Sequence, residues 1–272
     1  MKSTTQNRLA DFSSVIERCS GMLPPTVYQK IYEVGQRGGM IVEIGTALGA
    51  GTVALALGLK DSGLPGHVYT FDPMLGGPRR QISAADDRVA HIQDSLAHYG
   101  VLDRVTIIPR ALTDGIALLP TDQEVNVLMI DADGRIDRDL ILLKDRLSAD
   151  CQLIIDDVDD QVRVRGSGAR YFVDSKMRLS FLLVGFLQRA NVISTGHQIK
   201  DTYFGAWLGD PNAVLSPSPV LDVYRDMIFQ HASRDHFKQW RSDVIWRLGE
   251  RFPKAIGSLR KMYRQRQFGM PA

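Results

Sequence analysis

The sequence predicts an α/β protein built on an open, doubly wound, mostly parallel sheet with an antiparallel hairpin at one edge and helices at both ends. Three observations carry this. Short apolar runs rich in β-branched residues alternate with longer helical patterns between residues 40 and 156. Four of those runs end at or near an acid: Glu43, Asp72, Asp131 and Asp156. Val192 to Ile199 and Thr202 to Leu208 then alternate with period two about a short turn, the pattern of an antiparallel pair.

In chain order, residues 8–20 and 26–36 have helical apolar spacing (Leu9, Phe12, Ile16; Val27, Ile31, Val34), separated by Gly21 to Pro25. They precede the first strand, so residues 1–36 are expected to form a helical cap or a pairing surface. Met40 to Ile44 is the first strand, followed by a glycine-rich turn and a helix from Thr52 to Lys60. His67 to Asp72 is the second strand, Pro73 to Pro78 a loop, and residues 83–99 an amphipathic helix. Val105 to Pro109, Val125 to Asp131 and Gln152 to Asp156 are the next three strands, with a helix over 136–147 between the last two. Arg163 to Arg170 reads as a mobile basic loop, and Tyr171 to Ala190 as a long, mostly buried helix. Pro211 to Pro219 is a linker, and 220–268 is helical. The division that follows is a cap at 1–36, a sheet domain at 37–210, and a linker with a helical extension at 211–272.

Composition narrows the class. A chain of 272 residues with 44% hydrophobic and 24% charged residues buries one full core without staples. A net charge of +2 points to no general polyanion partner, so nucleic acid is not expected. Cys19 and Cys151 lie far apart without metal-type spacing and fit reduced thiols. There is no signal-peptide core and no run approaching the roughly 20 apolar residues of a membrane helix, so a soluble cytoplasmic protein is expected. The six histidines lack ligand spacing, and no Ser or Cys lies in a nucleophile-elbow context, which disfavours a zinc enzyme or a hydrolase.

The turn after the first strand is a nucleotide-type ligand site. Its glycines let backbone N–H groups and a helix N-terminus approach a ligand closely. A dinucleotide fingerprint requires G-x-G-x-x-G directly at the strand end. Here the nearest match begins at Gly49, five residues after Ile44, and what stands at the strand end is E-x-G-x-x-x-G-x-G-T from Glu43. This resembles motif I of the class I S-adenosylmethionine-dependent methyltransferases, above all the small-molecule O-methyltransferases. The resemblance implies a Rossmann-like methyltransferase fold over about 38–210, with Glu43, Gly45, Thr46, Gly49 and Thr52 lining the methionine and ribose part of the cofactor. Asp72, about twenty residues further on, suits ribose hydroxyls in either cofactor class. Residues 92–106 also look like the helix-to-strand passage of these enzymes, and Ala111 falls where the adenine contact is expected. Arg110 beside it departs from the family pattern. A glycine turn that merely packs a helix on a strand is the bland alternative.

Met129 to Asp133 and Leu153 to Asp157 form the second constellation. If the fourth and fifth strands are neighbours in a parallel sheet, about 4.8 Å apart, the acids at their carboxyl ends converge and repel, and a hard divalent cation with oxygen ligands would resolve the repulsion. Strand-end acids also occur as solvated caps. The I-D-A-D and I-I-D-D strings resemble the metal-dependent O-methyltransferases of the catechol and antibiotic-sugar types. By that resemblance Asp131, Asp156 and Asp157 are metal ligands, probed most simply as Mg²⁺, and Asp131 also takes part in cofactor binding and catalysis. The family's basic residue past the first acid is replaced by Gly134 and Arg135, which leaves Asp133 as a substitute base or as a cap of the following helix.

The implied activity is methyl transfer from S-adenosylmethionine to a hydroxyl of a small-molecule natural product or sugar. An NAD-dependent oxidoreductase and a non-catalytic cofactor-binding or assembly protein are the alternatives. The terminal helices are expected to form a lid over the sheet mouth and part of a homodimer contact. Arg251, Lys254, Arg260, Lys261, Arg264 and Arg266, with Ile256, Leu259 and Tyr263 on one face, make an anionic membrane surface the rival partner for 251–266.

Overall fold

The computed structural model describes residues 12–75, 85–167, 170–229 and 236–252, and singly 254, 255, 258, 259 and 262. A seven-stranded sheet runs through the molecule in the order β3-β2-β1-β4-β5-β9-β8. Its strands are β1 (Gly39–Ile44), β2 (Gly66–Phe71), β3 (Val105–Ile108), β4 (Val125–Ile130), β5 (Leu147–Ile155), β8 (His197–Ile199) and β9 (Thr202–Ala206). β1 to β5 are mutually parallel, and β9 pairs antiparallel with both β5 and β8. The Rossmann-like arrangement with a reversed edge pair is therefore present.

Burial alternates along the central strands and explains why they read as unbroken apolar runs. Met40, Val42, Ile44, Leu128, Ile130, Leu153 and Ile155 enter the core on one face of the sheet. Ile41, Val127, Met129 and Ile154 enter the core on the other. The first face is covered by α6 (Ile136–Leu143), α7 (Lys176–Arg189) and α8 (Pro217–Phe229). The second is covered by α1, whose described part is 12–18, by α2 (Pro25–Gly35), α3 (Ala50–Ser62) and α4 (Ala85–His98). Leu183 and Leu187 of α7 are fully buried, each such side chain contributing about 2 kcal/mol.

Several local expectations change. Arg163 to Arg170 is no loop: β6 (Arg163–Ser167) and β7 (Arg170–Asp174) form an antiparallel hairpin, whose residues 168 and 169 lie outside the described residues. Arg163-Val164-Arg165 has the two-residue period of a strand and Tyr171-Phe172-Val173 is a β-prone apolar run paired with it, so helix α7 starts at Lys176 rather than Tyr171. The strand expected over 192–199 shortens to His197–Ile199, with Ile193 bridged separately to Trp207. The 211–219 linker is a packed turn. Asp210 accepts hydrogen bonds from the backbone N–H groups of Val214 and Leu215, Leu215 is buried, and α8 already begins at Pro217.

The ends differ from one another. The apolar stripes of α1 and α2 are spent on the core shared with α3, so these helices are a wall of the domain. At the other end α8 is tied down by Tyr224, whose hydroxyl donates to Asp137 Oδ1 at 2.9 Å. α9 (His236–Arg251) lies against β6 with Trp240 60% exposed. Of the basic segment, Arg260, Lys261, Arg264 and Arg266, with Ile256 and Tyr263, lie outside the described residues. No helix among the described residues is long and apolar enough to cross a membrane. Cys19 and Cys151 are buried free thiols, and burial pushes Cys151 up to about 12, where it is inert.

Candidate active site

The carboxyl ends of β1, β2, β4 and β5 form one mouth, and the chain continues beyond each strand in register. The N–H of Gly45 donates to the Phe71 carbonyl, that of Asp131 to Ile44, and that of Asp156 to Ile130. Gly45 has φ 100, and a Cβ there would collide with the carbonyl oxygen of Asp131. A side chain is therefore excluded twice, by dihedral and by space. The turn ends at Gly49, which caps α3 without a side-chain hydrogen bond, and the first turn of α3 holds no acid. Its N-terminal N–H groups and positive dipole end are left for a ligand.

Beneath the turn lies a sealed polar cluster. Glu43 is 1% exposed, and its Oε2 accepts from Thr52 Oγ1 at 2.5 Å and from Thr70 Oγ1 at 2.6 Å. Thr46 Oγ1 lies 2.5 Å from Thr70 Oγ1. Burial outweighs these hydrogen bonds and raises Glu43 to about 7. Glu43, Thr46 and Thr52 thus support the turn from below, and the Glu43 carboxylate is covered. Asp72 is half-buried and braces the turn from the side. Its Oδ2 accepts from Ala47 N at 2.9 Å and its Oδ1 from Met74 N at 2.7 Å. Arg88 of α4, fully buried, donates to the Met74 carbonyl at 3.2 Å and so steadies this loop; nothing in the sequence pattern singled it out. Ala111 is half-buried just before the short helix α5 (Leu112–Gly115), while Arg110 is exposed.

Asp131, Asp156 and Asp157 are brought together: one oxygen from each lies within 4.8 Å of the others. Asp156 is buried, and its Oδ1 accepts from Thr202 Oγ1 of β9 at 2.6 Å. Burial, then the charges of Asp131 and Asp157, push it well above the usual carboxylate range, opposed by the Thr202 hydroxyl and by Lys176. Asp157 has the left-handed backbone φ 57, a conformation that Asp adopts more readily than most residues.

Lys176, the first residue of α7, was missed from the sequence. Its Nζ is 2.5 Å from Asp157 Oδ2 and 3.3 Å from Asp131 Oδ1. Burial pulls this ammonium down, but the charges of Asp131, Asp157 and Asp156 outweigh it and hold Lys176 above the ordinary lysine range. Only the register of a hairpin not foreseen could have shown that Lys176 returns to the mouth. Asp133 is committed elsewhere. Its oxygens take Arg138 Nη1 at 2.8 Å and Nη2 at 3.1 Å, and its Oδ1 also accepts from Arg135 N at 3.1 Å. Against the burial cost, these partners hold it below the usual carboxylate range. Neither expected role fits well: α6 has no side-chain cap, and Asp133 is not among the converging acids.

This sheet order, with its antiparallel edge pair, is that of a Rossmann-like methyltransferase fold. A family model described as a methyltransferase domain matches residues 42–158. No curated protein matches its sequence. Among solved structures, an O-methyltransferase from Bacillus cereus in complex with SAH is 16% identical with a TM-score of 0.51, over 76% of this chain and 92% of that one. TomG from Streptomyces achromogenes, an O-methyltransferase involved in tomaymycin synthesis, in complex with SAM, gives 15% and 0.52 over 74% and 89%. The SAH-bound methyltransferase PaMTH1 from Podospora anserina gives 15% and 0.52 over 76% and 97%. At such identities the likeness is one of fold.

Proposed function

We propose that the chain transfers the methyl group of S-adenosylmethionine to a hydroxyl oxygen of a small-molecule acceptor, a natural product or sugar. The observation that carries this is the uncapped N-terminus of α3 behind the Gly45–Gly49 turn, with Asp72 at its side. Those groups suit the carboxylate and ribose hydroxyls of the cofactor, which supplies a methyl already activated on a sulfonium. The chain's own contribution is positioning. The turn holds the donor, the mouth at β4 and β5 orients the acceptor oxygen, and burial excludes water. The acceptor's proton passes to the acids of the mouth, where Asp131 is half-buried and nearest the turn through the Gly45 contact. Incubation with labelled S-adenosylmethionine in an extract of candidate acceptors tests this by formation of the demethylated cofactor.

A second reading adds a divalent ion, Mg²⁺ by preference, on Asp131, Asp156 and Asp157. The three converging oxygens support its donor chemistry. The ammonium of Lys176 among them counts against it.

The terminal helices are read as wall and cover, with a homodimer contact at α9, in a cytoplasmic protein. The exposed Trp240, Ile245, Leu248 and Phe252 motivate the contact. Removal of residues 250–272 should leave cofactor binding intact and alter size in solution or acceptor use. A truncated chain that kept both and lost only vesicle binding would favour an anionic membrane surface instead.

A further inference from the structure

Lys176 stands where a cation is least welcome on helix grounds alone. It is the first residue of α7, whose first turn holds no acid, so the positive end of the helix dipole opposes it. The compensation comes from Asp157 Oδ2 at 2.5 Å and Asp131 Oδ1 at 3.3 Å, and Asp156, an oxygen of which lies within 4.8 Å of oxygens of both acids, adds its charge from farther off. These acids are held in place. The N–H groups of Asp131 and Asp156 are bonded to the ends of β1 and β4, and Thr202 holds Asp156 from β9. The lysine is held as well. Gly134, at φ 82, approaches the Lys176 carbonyl so closely that a Cβ would lie 2.8 Å from that oxygen. Arg178, buried two residues on, pairs with Asp160 of the loop that carries Asp157. The place of the ammonium is thus built from both sides. Gly134, with no side chain, is what admits the backbone of Lys176.

We infer that Lys176 is the resident cation of this mouth. Its ammonium takes the place between Asp131, Asp156 and Asp157 that a divalent ion would occupy, so the native chain holds no divalent ion there. Replacing it with a neutral side chain opens a divalent-cation site. An ammonium and a doubly charged ion at one point repel too strongly to share it, whereas either alone offsets the mutual repulsion of the acids. Nothing here depends on methyl transfer, and a failed acceptor screen leaves it standing.

The test is calorimetric titration of the full chain, stripped with chelator, with Mn²⁺ alone. The wild type should bind no tighter than about 1 mM, and Lys176→Met at least about tenfold tighter than the wild type. Lys176→Met combined with Asp157→Asn should lose the gain, and Lys176→Arg, which keeps the charge, should behave as the wild type. In thermal unfolding, chelator should leave the wild-type midpoint unchanged, while Mg²⁺ should raise that of Lys176→Met. If Lys176→Met does not fold, the wild-type titration still decides. Wild-type binding tighter than about 1 mM that Asp157→Asn abolishes, or a folded Lys176→Met that gains nothing, overturns the inference.

Discussion

The two halves of the mouth are made differently. At β1 the ligand turn and its side-chain support come mainly from one short stretch, Glu43, Gly45, Thr46, Gly49 and Thr52, joined by Thr70 of β2 and Asp72 just beyond it. At β4 and β5 the charges are balanced across long separations. Lys176 meets Asp131 over 45 residues, and Thr202 meets Asp156 over 46. The first half is set by backbone geometry that tolerates no added atom, the second by charges on separate elements that must arrive together. Substitutions should therefore be most costly for stability at β1, and most informative for charge at β5.

Gly45→Ala should have the largest effect. The added methyl meets the Asp131 carbonyl at a dihedral that disfavours any side chain, so a loss of at least about 4 kcal/mol in denaturant unfolding is expected. A loss under about 1 kcal/mol would mean that the turn yields and the contrast between the halves fails.

Glu43 comes next and carries a pH signature. Its carboxyl is raised from 4.5 to about 7 by burial. Between those values the folded chain keeps a proton that the unfolded chain has released, so stability present at acid pH is lost as pH rises through the folded value. Relative to Glu43→Gln, the wild type should weaken by about 3 kcal/mol from about pH 4 to about pH 8. Parallel stability curves for the two proteins would show that Glu43 is not sealed beneath the turn.

Thr202→Val probes the other half. It removes the hydroxyl that holds Asp156 and should cost about 1–2 kcal/mol while increasing the repulsion among the acids. Both effects are read from unfolding curves at low and high salt; a variant as stable as the wild type in both would unseat Thr202 as a support.

Asp133→Ala should matter least. Its carboxylate is 56% exposed and paired with Arg138 on the surface, worth under about 1 kcal/mol. Turnover should stay within about twofold of the wild type. A loss of turnover of about a hundredfold or more would restore Asp133 as the base.

The contrast also explains what could be read from the sequence. The succession of strands and the glycine turn were legible because β-branched runs and left-handed glycines are local consequences of local residues. Asp131, Asp156 and Asp157 were legible because each ends a recognisable strand. Lys176 was not, because its role depends on a hairpin that returns the chain to the mouth, and Tyr171 to Val173 merged with the apolar spacing of α7 to mimic a longer helix. The pairing of Asp133 with Arg138 was not legible, because that arginine reaches it from the next helical turn, at a distance no spacing rule along the strand would show. The covering of the Glu43 carboxylate was not legible either, since the two threonines that bond it come from different elements.

Calorimetric titration of the purified chain with S-adenosylhomocysteine and with NAD(H) tests the central claim most directly. One site for the adenosyl ligand per chain, weakened by Gly45→Ala in any fraction that folds, and no heat with NAD(H), is the predicted result. Saturable binding of NAD(H) with none of S-adenosylhomocysteine would contradict it.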